Sequence, residues 1–245
     1  MTEAVPLTFV ASQSSGECSA LLVRPPDAIA LYVLAHGAGA DMHHRFMVDV
    51  AGALARERIA TLRYQFPYTQ AGARRIDPKP ILLATVRRAV ALAREHAGDL
   101  PLVAGGKSMG GRMTSLAAAG APLPGVRALV FLGFPLHPAK QPATERAIHL
   151  ADVGVPMLFL SGTRDELATL ELLRPVVATL GERATLHVVE HADHGFGVLK
   201  RSGRTNAEVL DELASATASF VCALRRNAAA AAKRPETGAD RTRAQ

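Results

Sequence analysis

Several features are missing from this chain of 245 residues, and each absence removes a class of function. No run of about 18 apolar residues occurs, and residues 1–10 do not place a positive charge ahead of a long apolar stretch. Neither a membrane-spanning helix nor a secretory leader is expected, so the reading is a soluble cytoplasmic chain with no membrane partner. Cysteine is scarce: Cys18 and Cys222 stand at opposite ends without metal-type spacing, which excludes a disulfide framework and leaves two free thiols. No period of about 20–50 residues recurs, and neither glycine nor proline reaches a low-complexity level, so a solenoid and a fibrous chain are excluded.

What is present is a large apolar fraction, 49% of residues, enough to bury one sizeable core. The formal net charge of +6 lies mostly at one end. From Arg225 onward, Arg225, Arg226, Lys233, Arg234, Arg241 and Arg243 oppose only Glu236 and Asp240. That basic end has no interleaved aromatic residues to stack on bases, so no nucleic-acid partner is expected. The expected organisation is one α/β domain over residues 1–225 and a basic, disordered tail over residues 226–245.

Apolar patterning divides the domain. Two strand-like stretches within residues 6–25 flank Ser14, Ser15 and Gly16, as in a hairpin. An uninterrupted apolar run at residues 30–35 reads as a strand buried on both faces, and residues 59–64, 100–104, 126–132, 156–160 and 184–189 read as further strands of the same sheet. Between them, helical spacing appears at residues 42–56, 81–96, 113–119 and 168–180, and again at 206–224 as a closing helix. Alternating strands and helices imply a mostly parallel sheet with helices on both faces and ligands at the carboxyl ends of the strands. Residues 65–80, rich in proline, glycine and charge, read as a loop. The connection over residues 133–155 allows one short helix near residues 143–150 and is too brief for an inserted lid domain.

The chemistry centres on Gly106-Lys107-Ser108-Met109-Gly110, a Gly-x-Ser-x-Gly pattern between an expected strand and an expected helix. A serine at the apex of such a turn holds its hydroxyl above the sheet, and the flanking glycines let strand and helix approach closely. The same Gly-Lys-Ser invites a phosphate-loop reading, but that motif needs a glycine where Pro101 stands. A serine hydroxyl needs a base, and the loop after the last expected strand offers His191 and His194. The base needs a carboxylate, and Asp165 follows the strand ending near Leu160, whereas Asp152 precedes that strand. The Met109 amide is the expected first donor of an oxyanion hole; His36-Gly37-Ala38-Gly39 supplies the second through Ala38 or, as the alternative, Gly39. His36 reads as structural. His43 and His44, adjacent on an expected helix, point apart, so no metal site is expected.

HGAGA, GGKSMGGR, SGTRDEL and ADHGF, in that order, resemble the α/β-hydrolase superfamily, and especially its small lid-less, dienelactone-hydrolase-like branch. The resemblance covers about residues 30–222. It implies the α/β-hydrolase fold, a Ser108, Asp165 and His194 triad, no cofactor, and a small-molecule acyl substrate such as an ester. It also favours His194 over His191 as the base. Dienelactone hydrolases proper use cysteine where this chain has serine, so the lactone substrate is not carried over. Arg63-Tyr64-Gln65-Phe66-Pro67-Tyr68 resembles the same branch, making Tyr64 and Phe66 candidates for lining an acyl or alcohol pocket, with packing in the core as the alternative. Lys107 and Arg112 read first as solvated charges and second as attractors of an anionic substrate. The rivals to an esterase are a thioesterase or peptidase using the same triad, and an interaction scaffold on the same fold.

Overall fold

A computed structural model describes residues 3–12 and 15–232. Its centre is an eight-stranded sheet: β1 (Ala4–Val10), β2 (Glu17–Val23), β3 (Ala30–Ala35), β4 (Ile59–Tyr64), β5 (Leu102–Lys107), β6 (Val126–Leu132), β7 (Met157–Arg164) and β8 (Ala184–Asp193). The order across the sheet is β1-β2-β4-β3-β5-β6-β7-β8, with β1 and β2 antiparallel and β3 to β8 mutually parallel. This is the mostly parallel α/β-hydrolase sheet expected from the alternating pattern. The antiparallel β1–β2 pair matches the expected hairpin, whose turn at Ser14 lies partly outside the described residues.

The strand period of two explains how the sheet is covered. On β3, Leu31, Val33 and Ala35 join one core and Ala30, Tyr32 and Leu34 the other. The first core receives α3 (Lys79–Ala97), α4 (Met109–Gly120) and α5 (Leu170–Thr179) through Leu82, Val86, Met113, Ala117, Leu173 and Val177. The second receives α1 (Arg45–Arg56) and the closing helix α6 (Asn206–Ala232) through Met47, Val50, Leu54, Val209 and Leu213.

Chain order then makes a crevice. From β3 the chain passes through α1 on one face to β4, and from β5 it passes through α4 on the opposite face to β6. Strands β3 and β5 are neighbours, so the loops leaving their carboxyl ends diverge to opposite sides. That divergence is a topological switch point, the place where ligands bind in open α/β sheets.

Several boundaries differ from the sequence expectation. α1 begins at Arg45 rather than residue 42 because the His44 Nδ1 accepts the Phe46 amide and caps the helix there. His43 and His44 therefore precede the helix. A one-turn helix, α2 (Pro67–Gln70), interrupts the expected loop, started by Pro67 at its first position. The β6–β7 connection holds only a 3-10 helix, Glu145–Asp152, and no lid domain. α6 continues through Ala232, past the expected end of the domain at residue 225; the rest of the basic tail, 233–245, lies outside the described residues.

α4 packs closely against the end of β3. A Cβ on Gly110 would sit 2.5 Å from the His36 carbonyl oxygen and 2.7 Å from the Ala35 Cβ, so the helix backbone rests directly on the strand end. Gly110→Ala is expected to destabilise the fold by about 1–3 kcal/mol, the usual range for overpacking a rigid contact. Urea unfolding would measure this, and a wild-type midpoint would contradict the contact.

Candidate active site

Ser108 connects β5 directly to α4. Its backbone is held at φ 50° and ψ −114°, a conformation that costs a non-glycine residue on the order of 1–3 kcal/mol. Gly106 makes the bend possible: at φ +146°, a Cβ there would lie 2.2 Å from the Ala35 carbonyl oxygen. The Ser108 amide is anchored to the Leu132 carbonyl at 3.1 Å. With backbone and neighbours fixed, the hydroxyl projects from the carboxyl edge of the sheet.

The candidate acid and the candidate base arrive side by side because β7 and β8 run further than their apolar cores. A register shift after Gly162 lets pairing continue to Arg164 opposite Asp193. The next residues on the two strands are Asp165 and His194. His194 Nδ1 lies 2.9 Å from both Asp165 carboxylate oxygens, and His194 Nε2 lies 2.8 Å from Ser108 Oγ. With Nδ1–H donating to Asp165, Nε2 is left as an acceptor facing the Ser108 hydroxyl. The Asp165 side chain is fully buried, and its Oδ1 also accepts the Leu167 amide at 2.8 Å. His191 is exposed and stands apart, its own amide bonded to Thr163 Oγ1.

Two residues given no such role by sequence reasoning shape the His194 loop. Asp193 Oδ1 accepts the amides of Gly195 at 2.8 Å and Gly197 at 2.9 Å, closing the loop as an Asx turn. An aspartate two residues before a glycine is the signal that could have found it. Lys107, read as solvated, has its Nζ 2.6 Å from the His194 carbonyl and 5.5 Å from the Phe196 ring centroid, with Phe46 at 6.0 Å. Burial lowers its ammonium to about 8, against the opposing pull of Asp165 and Asp193.

The loop after β3 is fixed by His36, which is buried. The Phe66 amide donates to its Nε2 at 3.3 Å, so Nδ1 carries the proton and donates to the Gly37 carbonyl at 2.9 Å. Burial lowers the His36 imidazole below its ordinary range despite the Gly37 carbonyl and Asp41, in keeping with a neutral ring. Ala38 borders the same cleft as Ser108 and Met109, whereas Gly39 borders a neighbouring hollow. Among the described residues, neither the Met109 nor the Ala38 amide has an acceptor.

Tyr64 and Phe66 do not line this cleft. Both are buried, Tyr64 against Phe9 and Phe66 edge-on to His36 at 5.0 Å between centroids. As the last residue of β4, Tyr64 points into the core, and Phe66 turns inward to brace His36. The cleft, about 450 Å³, is lined instead by residues such as Leu82, Met113, Pro135 and Leu167, with Lys79, Arg112 and Arg146.

A family model described as an alpha/beta hydrolase domain matches residues 28–222. Solved structures with the same fold include a dienelactone hydrolase from Anabaena variabilis, at 20% identity and a TM-score of 0.71, covering 89% of this chain and 96% of the other. An α/β serine hydrolase homologue from Coxiella burnetii follows at 19% and 0.68, covering 88% and 97%. A lid-less α/β serine hydrolase from Xanthomonas campestris stands at 22% and 0.65, covering 87% and 93%.

Lys107→Met keeps the apolar stem and removes the donor to the His194 carbonyl. The rate at which a fluorophosphonate labels the chain at pH 7 is expected to fall on the order of tenfold, the cost of a loosened base. Urea stability should stay near wild type, because the lost hydrogen bond and the relieved desolvation of the cation oppose each other. An unchanged labelling rate would leave Lys107 without a positioning role.

Proposed function

The chain belongs to the α/β-hydrolase family, and from that premise we propose that it is a serine hydrolase cleaving a carboxylic ester through an acyl-enzyme. The observation that carries this reading is the continuous hydrogen-bonded series Asp165–His194–Ser108 at the carboxyl edge of the sheet. A neutral imidazole oriented by a buried carboxylate is the base that a serine nucleophile requires.

In this mechanism His194 Nε2 takes the Ser108 proton as Oγ attacks the acyl carbonyl carbon. Asp165 stabilises the imidazolium that forms. The negative charge on the former carbonyl oxygen is received by the Met109 and Ala38 amides, and the α4 dipole adds to them. As the carbonyl reforms, the bond to the alcohol breaks and His194 returns the proton to the leaving oxygen. Water, deprotonated by the same histidine, then attacks the acyl carbon; the bond to Ser108 Oγ breaks, His194 returns the proton to Oγ, and the acid leaves.

The absence of a lid domain between β6 and β7 suits small substrates entering from solvent. Short p-nitrophenyl esters are therefore the substrates of choice for a test. Ser108→Ala is expected to abolish both their hydrolysis and labelling by a fluorophosphonate. Asp165→Asn should lower kcat by about 10³–10⁴-fold, because the wrong imidazole tautomer is then favoured. Full ester turnover by folded Ser108→Ala would refute the assignment.

A further inference from the structure

The cleft beside Ser108 carries an unbalanced charge. Three cationic side chains border it: Lys79 at the start of α3, Arg112 one turn into α4, and Arg146 on the 3-10 helix. Among the described residues none of the three makes an ion pair or a side-chain hydrogen bond. A single carboxylate, Asp77, lies on the same wall, and one of its oxygens is taken by the Tyr68 amide at 2.8 Å. The Arg112 Nε is buried with no acceptor, an arrangement that folded proteins seldom leave unfilled. Lys79 adds to the imbalance because it stands in the first turn of a helix, where the dipole favours carboxylates, and no acidic residue is present there.

Neighbouring groups register the same field. Burial and then Arg146 lower the Arg112 guanidinium. Behind it, His149 lies 2.7 Å from Ser115 Oγ, and its imidazole is lowered to about 4 by burial, then Arg112, with Lys79 adding and Asp152 opposing. Two arginines from different elements thus face one small space, with apolar Leu82 and Met113 beside them. A planar guanidinium fork matches a carboxylate in two hydrogen bonds, which a solvated surface arginine has no need to offer.

We propose that the acyl substrate of Ser108 carries an anionic group, a carboxylate in the simplest case, received by Arg112 and Arg146, with Lys79 at the rim. The assignment rests on the serine-hydrolase reading and narrows it from any small ester to one with a charged end. The apolar residues that share the cleft with Ser108 and the arginines, Leu82 and Met113 among them, suit a short hydrocarbon spacer.

The test uses protection of Ser108 from a neutral fluorophosphonate in the full chain, with Ser108→Ala as the control for labelling site. Two competitors of equal length are compared: the mono-N-methylamide of adipic acid, which is anionic, and its bis-N-methylamide, which is neutral. The anionic competitor is expected to protect at a concentration about tenfold or more lower, as a charge-assisted pair would give. That preference should shrink in Arg112→Gln and in Arg146→Gln, and with added salt. Equal protection by the two competitors, including none by either, or a preference kept in both variants, overturns the anionic assignment alone. Failure of the folded wild-type chain to label overturns the serine reading, and this one with it.

Discussion

The close approach of α4 to the end of β3 governs the geometry of this molecule. Gly106 and Gly110 bring backbone onto backbone, with no side chain between the nucleophile turn and the Ala35–His36 peptide. Ser108 is held between these contacts at a positive φ that an unconstrained serine would leave. The same contact sets the distance between the start of α4 and the loop after β3. The two amides proposed to receive the oxyanion, Met109 and Ala38, belong to those two segments. The candidate nucleophile and the proposed oxyanion site are therefore one rigid construction, which suits a reaction whose charge must be met by donors already in place.

The other half of the site depends on strand length. β7 and β8 could have ended with their apolar runs, leaving Asp165 and His194 on loose loops. Pairing instead persists to Arg164 and Asp193, and each triad candidate follows its last paired residue. Asp193 then closes the loop beyond His194, and Lys107 holds the His194 carbonyl from beneath. Lys107 adjoins Ser108 in sequence and contacts His194 in space, so it links the two halves. Such second-layer bonds decide whether a site is held within the few tenths of an ångström that chemistry requires.

Much of this was legible in the sequence where local rules dominate. The strand segments expected at residues 30–35, 59–64 and 126–132 coincide with β3, β4 and β6, because buried parallel strands read as largely apolar stretches even where Thr61, Arg63 or Arg127 interrupts them. Gly-x-Ser-x-Gly placed Ser108 at a strand-to-helix turn, and chain order put Asp165 and His194 in loops at the same sheet edge. What escaped were features fixed by partners distant in sequence. The polar ends of β7 and β8 carry no apolar signal, and their pairing depends on each other. Tyr64 and Phe66 look like pocket residues by position, yet burial of Tyr64 in the core and the contact of Phe66 with His36 turn them inward. α2 is a single turn, too short for any periodicity.

The two basic residues flanking Ser108 show why charge in a sequence does not reveal its use. Lys107 has the strand parity of Val103, and Val103 faces the α1 and α6 layer; period two therefore drives the lysine stem into that layer, beside Phe46 and Phe196. Arg112 lies one helical turn beyond Ser108, on the side of α4 that borders the cleft. Lysine's single flexible ammonium satisfies a single backbone carbonyl, whereas the buried Nε of Arg112 remains without an acceptor. Burial therefore has opposite consequences at the two positions. At Lys107 the cost of desolvation is offset within the fold by the His194 carbonyl and the aromatic faces. At Arg112 the buried Nε meets no acceptor in the described chain, and that is the position at which the proposed anionic end of the substrate would supply one.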